Sequence, residues 1–149
     1  MLLAAFVAFV HFLAFFVLTT TLVLQLGLLT DSISVATARR IQRADRIAGI
    51  AAILVLIFGF LRVYYFEKGA DYYFDNTFFL IKLALFIAAA LISIYPTVSY
   101  ARWSPELKQE IAPEIPAATL LRIRKIIHYE LIAILGILLC ASLMAKGFG

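Results

Sequence analysis

The sequence predicts an all-α fold, an integral membrane bundle of four helices running up-down-up-down with both termini on the non-cytoplasmic side. Three observations predict it. Hydrophobic residues make up 64% of the 149 residues and charged residues 15%, against about half and about a quarter in a soluble domain. The apolar residues gather into four runs, each close to the roughly 20 residues that cross a bilayer core. The basic residues gather in alternate connections between those runs, where membrane topology is encoded. With a mean hydropathy of +1.01, a cytosolic globule, a disordered tail and a disulfide scaffold are excluded. One transmembrane domain remains, residues 1–149, with no separate soluble module.

The first span, about residues 3–29, lies in a stretch free of charge through Thr30, enough for one long or tilted helix. The start lacks a basic stretch and its apolar run is too long for a signal peptide, so Met1 onward reads as mature protein. The next segment, TDSISVATARRIQRADR, is long enough to form a helical extension capped by Ser32 or Asp31. The second span, about 47–66, is interrupted by Arg62, and the third, about 78–101, by Lys82. In the connection that follows, Ser104 suits a helix cap with Pro105 at the first helical position. Pro113 and Pro116 then break the chain before the fourth span. That span, about 122–145, carries His128 and Glu130 near its start. The short connections imply antiparallel neighbours.

Orientation follows from the lysines and arginines. Arg39, Arg40, Arg43, Arg46, Arg102, Lys108, Arg122, Arg124 and Lys125 make nine on one side, against three (Arg62, Lys68 and Lys146) on the other. The richer side belongs in the cytoplasm, which makes this a multi-pass membrane protein with both termini outside. The net charge of +4 therefore reads as a topology signal, with no nucleic-acid partner. The outer connection is aromatic, with Tyr64, Tyr65, Phe66, Tyr72, Tyr73, Phe74, Phe78 and Phe79. It reads as an interfacial belt in preference to a cofactor or quinone niche. Cys140, the single cysteine, reads as a small packed hydrophobe. Gly49, Gly59, Gly136 and the Ala84–Ala88 spacing permit close helix packing or a homo-oligomer. Zinc-protease, phosphate-loop and serine-hydrolase motifs are absent from the sequence.

Ionisable residues inside a span are costly and default to functional candidates. His11 is about eight residues in from the outer end, roughly 12 Å deep, and Lys82 and Arg62 are about four residues in, roughly 6 Å deep. The three can converge in the outer half of the bundle. His11, among aromatics in HFLAFF, suits a haem iron or a hydrogen bond to a neighbouring helix. Lys82 can snorkel to the interface, and a neutral amine can also bind iron. Arg62 can anchor the helix end, pair with Glu67, Asp71 or Asp75, or hold a propionate as a bidentate donor. His128 and Glu130 lie near the cytoplasmic boundary, too far from His11 to share an iron. They are expected to contact Arg122, Arg124, Lys125 or Gln25, with Glu130 a candidate for a proton path.

Three segments carry a resemblance: FVHFLAFF, RADRIAGIAAILVLIFGFLRVYYFEKG and FFLIKLALFIAAALISIYPT, followed by the closing MAKGFG. Together they resemble a family of small four-helix bacterial inner-membrane proteins known only as a domain of unknown function. That resemblance spans nearly the whole chain and implies a fold and a membrane location. More distantly, a histidine in the first span and a lysine followed by leucine in the third resemble the membrane-bound protoporphyrinogen oxidase family, which binds b-type haem. That resemblance implies haem b as cofactor, His11 as axial ligand to its iron, and Lys82 as second ligand or catalytic partner. The tryptophan-rich first helix and the additional arginines of that family are not matched. The only tryptophan here is Trp103, in a connection.

The expected function is a b-type haem-binding membrane redox protein acting on a porphyrin- or quinone-like substrate, with His11, Lys82 and Arg62 as cofactor-binding residues. The alternatives are a non-catalytic accessory subunit of a larger membrane complex and a small transporter or channel subunit.

Overall fold

A computed structural model describes all residues, 1–149. It is all-helical. Four long helices, α1 (Leu2–Leu28), α2 (Val35–Leu61), α4 (Thr77–Ala101) and α6 (Ala117–Ala145), are joined by two short ones, α3 (Ala70–Phe74) and α5 (Ser104–Lys108). Each long helix is long and apolar enough to cross a membrane. α1 pairs along α2 and α4 along α6, and the two pairs meet more lightly through α2–α4 and α1–α6 contacts. This is the four-helix membrane bundle that the apolar runs predict.

The seams follow coiled-coil spacing. On α1 the buried residues are Val7, Ala14, Thr21, Leu22 and Gln25. On α2 they are Ala38, Ile41, Ala44, Ala48, Ala51 and Val55, and the alanines let α1 approach closely. On α6 the spacing alternates three and four through Leu120, Ile123, Ile127, Glu130 and Ile134. Outside the seams, Phe6, Phe9, Phe12 and Phe16 of α1 and Leu135 and Leu139 of α6 are exposed. Such faces are stable only against lipid, so the bundle sits in a bilayer. Thr19 and Thr21 donate their hydroxyls to the carbonyls of Phe15 and Val17, each at 2.9 Å, which satisfies them within their own helix.

The core is concentrated at the end that carries the basic connections, here the basic end. Leu22, Leu29, Ile33, Ala38, Ile41, Tyr100, Trp103, Leu107, Leu120, Ile123, Ile127 and Ile134 form one cluster. Polar ties lock the connections over it. Gln42 donates to the Tyr100 carbonyl at 2.6 Å, Arg39 to the Leu107 carbonyl at 2.8 Å, and Arg124 through both Nε and Nη2 to the Leu29 carbonyl.

Two caps differ from the sequence expectation. α2 is capped by Ser34, whose hydroxyl accepts from the Thr37 amide at 3.2 Å, and not by Ser32 or Asp31. Leu29 and Ile33 are both buried, so the chain turns beneath the bundle before the helix starts. Ser104 is the first residue of α5 and its hydroxyl accepts from Gln42 at 3.2 Å; the residue before it, Trp103, occupies the cap position without a side-chain bond. Pro116 precedes α6, the break that its chemistry predicts.

At the other end, here the aromatic end, α2 runs into a π-helical turn over Arg62–Phe66, in which the Glu67 amide reaches back to the Arg62 carbonyl at 2.9 Å. Gly69, at φ 91°, makes the reversal into α3, a backbone region that glycine enters freely. Asn76 caps α4 by accepting from the Phe79 amide at 3.1 Å and donates to the Phe148 carbonyl at 3.0 Å. The C-terminal tail thereby closes on the start of α4.

Candidate functional site

A cavity of about 180 Å³ opens at the aromatic end, and with its mouth the empty space reaches about 930 Å³. His11, Arg62 and Lys82 all line it, with Gly59, Glu67 and Tyr73. The structure thus brings the three sequence candidates to one site. Phe12, Leu56 and Leu138 also line it and are exposed on the lipid-facing surface, so the cavity opens sideways towards the bilayer.

His11 is fixed by α2. Its Nδ1 lies 3.0 Å from the Val55 carbonyl. A carbonyl only accepts, so Nδ1 carries a proton, and in the neutral imidazole Nε2 then keeps its lone pair. Metal-binding histidines are held in this manner, with one nitrogen donating to a carbonyl and the other free. Gly59 makes the room: a Cβ there would meet His11 Cε1 at 3.1 Å.

Arg62 is already engaged. Its Nη2 and Nε donate to one oxygen of Glu67 at 2.6 and 3.2 Å, and its guanidinium lies 5.0 Å from the centre of the Phe12 ring. The π-helical turn places Arg62 and Glu67 five residues apart on one face, and such turns recur at functional sites. Lys82 is half-buried, with Nζ 5.0 Å from the Phe79 ring centre. Its ammonium has the attraction of that ring face.

The aromatic connection divides. Tyr64 and Tyr65 are exposed, as an interfacial belt requires. Tyr73 and Phe79 instead pack together at 5.4 Å between ring centres and line the cavity. For these two the belt reading gives way to a niche. Burial, with the Glu67 carboxylate beside it, raises the Tyr73 phenol above its ordinary value.

His128 and Glu130 part company. His128 is exposed and its Nδ1 donates to the Arg124 carbonyl at 2.7 Å. Glu130 is buried and lines a second cavity with Gln25. Among the sequence expectations for it, contact with the arginines and Lys125 is not observed; Asp45, which the sequence did not single out, is its charged neighbour. The signal for Glu130 was its place in the three-four spacing of α6.

For a haem, the donor chemistry of the aromatic-end site fits: an imidazole nitrogen with a free lone pair, an amine, and a guanidinium able to hold a carboxylate. The enclosed volume is below the roughly 300–1,000 Å³ of most small-molecule sites, so a macrocycle needs the mouth as well. No group of three or more His, Cys, Asp and Glu side chains converges to hold a bare metal ion.

No curated protein matches the chain, and neither does any solved structure. A family match covers residues 3–149, under the description "Predicted membrane protein (DUF2214)". With four membrane-length helices and a match over almost its whole length, the chain belongs to the DUF2214 family of membrane proteins.

Proposed function

We propose that this protein binds haem b in the aromatic-end cavity and carries electrons in a bacterial inner membrane, with a porphyrin- or quinone-like partner as donor or acceptor. The observation that carries this reading is the state of His11: Nδ1 held by the Val55 carbonyl at 3.0 Å, Nε2 left with a free lone pair in a cavity shared with Lys82 and Arg62. In this reading the basic end faces the cytoplasm and the cavity lies in the outer half of the bilayer.

Bound haem would supply one-electron redox chemistry. The chain's own residues do the rest. His11 presents Nε2 in one ring orientation, set by Val55 and the space at Gly59. Lys82 would serve as second ligand once its ammonium has lost a proton, or as proton donor while it keeps it. Arg62, held by Glu67 in this structure, would hold a propionate as a bidentate donor. The apolar walls exclude water, and the lipid-facing mouth admits a membrane-soluble partner.

The test is the absorbance spectrum of the detergent-purified protein, oxidised and dithionite-reduced, beside His11→Ala and Lys82→Met. A sharp reduced b-type band in the parent that is lost in His11→Ala supports the reading. A parent that stays colourless after haem is added ends it and directs attention to a role as an accessory subunit.

A further inference from the structure

The second cavity, about 100 Å³, lies towards the basic end and draws its walls from α1, α2, α4 and α6. Phe15, Phe86 and Ile137 line both cavities and form the apolar wall between them. The polar groups facing this second space are Gln25, Asp45, Ser93, Thr97 and Glu130. Its chemistry is the reverse of the aromatic-end site, with carboxylates in place of cationic side chains.

Two of these residues occupy seam positions on helices whose other seam residues are apolar or small. Glu130 is 5% exposed and sits between Ile127 and Ile134 in the α6 seam. Gln25 is 2% exposed, and its Nε2 has no hydrogen-bond partner. A buried donor left unpaired keeps its full desolvation cost. Glu130 likewise has no hydrogen bond or ion pair to a protein group. Both side chains are polar groups in a mostly apolar cavity, which is several times larger than the roughly 10–15 Å³ that one water needs. A water between them would satisfy both, accepting from Gln25 and donating to Glu130. At the rim, half-buried Asp45 accepts from the exposed Thr97 hydroxyl at 2.9 Å and lies beside exposed Arg46, the last arginine of the α2 basic run.

We propose that the basic-end cavity is a hydrated proton-exchange site, in which Glu130 takes up and releases a proton through water shared with Gln25 and Asp45. Asp45 takes a proton from bulk water at the rim and passes it to a cavity water, which gives one of its own to the Glu130 carboxylate. Release runs the same bonds in reverse, so no other reactant is needed. The titratable groups beside Glu130 are Asp45 on α2 and Tyr100 on α4, with Arg46 beyond Asp45. α1 contributes only neutral Gln25, and the adjacent turns of α6 contribute Ile126, Ile127, Ala133 and Ile134. The apolar wall stops the water at Phe15, Phe86 and Ile137. The site stands whether or not haem binds at the other end.

The test is infrared difference spectroscopy of the full-length protein in lipid, taken between about pH 4 and about pH 9 at fixed sodium. The expected result is a carboxylic-acid carbonyl band that grows as pH falls, is lost in Glu130→Gln, and is displaced in Gln25→Leu and Asp45→Asn. If Glu130→Gln fails to fold, Glu130→Asp should keep the band at a changed position. A Glu130→Gln spectrum that superimposes on the parent overturns the proposal. So does a parent band that responds to sodium at constant pH and not to pH, which would make this a metal-cation site.

Discussion

Gly59 on α2 lies directly against the imidazole of His11 on α1: a methyl group added at Gly59 would meet Cε1 at 3.1 Å and Nδ1 at 3.5 Å. The same ring edge holds the bond to the Val55 carbonyl. Glycine here sets the orientation of the histidine, and with it the direction of Nε2.

Gly59→Ala should therefore force the ring to shift. Overpacking of this kind costs about 1–3 kcal/mol, read as a lower thermal midpoint in detergent. In a His11→Ala background the added methyl enters the vacated space, and its cost should disappear. Four proteins measured by the same melt complete the cycle. A Gly59→Ala penalty that is equal in both backgrounds would show that the glycine serves helix packing alone.

Much of this arrangement is legible in the sequence. The four apolar runs, the alternate placement of basic residues and the depth match of His11, Arg62 and Lys82 all follow from hydropathy and helical rise. The Glu130 position in the α6 seam can be counted off from Leu120 onward. What the sequence does not contain is the pairing of helices. Val55 and Gly59 become partners of His11 only because α1 packs along α2, and Gln25 shares a cavity with Glu130 only because α1 and α6 meet at the basic end. The aromatic connection is similarly ambiguous. Tyr64 and Tyr73 have the same chemistry, and the turn at Gly69 decides which one faces lipid and which the cavity. The start of α2 was legible except for its cap: the arginine-rich stretch reads as a helical extension, and the burial of Ala38, Ile41 and Ala44 gives it a seam, but Ser34 caps it in place of Ser32 or Asp31.

Arg124 supports the end of α1. Leu29 is buried and its carbonyl lies beyond the last helical turn, where helix ends need outside donors. Two guanidinium nitrogens supply them. Arg124→Ala should leave that carbonyl unpaired at about 1–3 kcal/mol, with Arg124→Lys recovering part of the loss through a single ammonium. Asp31, 3.6 Å from Arg124 and almost fully exposed, should matter little: Asp31→Asn is expected to leave the melt unchanged, as exposed pairs usually do. An Asp31 effect as large as that of Arg124 would shift the explanation from the carbonyl to the ion pair.

Tyr73 predicts an alkaline limit. Its phenol holds its proton above the ordinary value of 10.0, through burial first and the Glu67 carboxylate second. A group with a raised folded-state value binds more protons folded than unfolded between the two values. Its stabilisation is complete below about pH 10 and is lost as pH rises through the folded value. Tyr73→Phe cannot ionise, so its thermal midpoint should fall less steeply than the parent's above that pH. Glu67→Gln should shrink the parent's alkaline loss, because removing the carboxylate's share brings the folded value of Tyr73 closer to the unfolded one. It also frees Arg62, at about 1 kcal/mol or less for a partly exposed pair. Parallel slopes for parent and Tyr73→Phe would remove Tyr73 from the alkaline behaviour.

Nine basic residues at one end against three at the other predict which side of the membrane each end occupies. Positive charge in short connections is retained on the cytoplasmic side, so the connection between α4 and α6 should lie there and the C-terminus outside. A phosphatase that is active only outside the cytoplasm should work when fused after Gly149 and fail when inserted at Ala112, in the exposed segment before Pro113. A fluorescent protein that matures only in the cytoplasm should give the opposite pattern. The mouth of the His11 cavity would then open into the outer leaflet, and the Asp45 rim would face the cytoplasmic side. Phosphatase activity at Ala112 with none at Gly149 would invert both assignments: protons would then reach Glu130 from outside, and the His11 site would meet its partner in the inner leaflet.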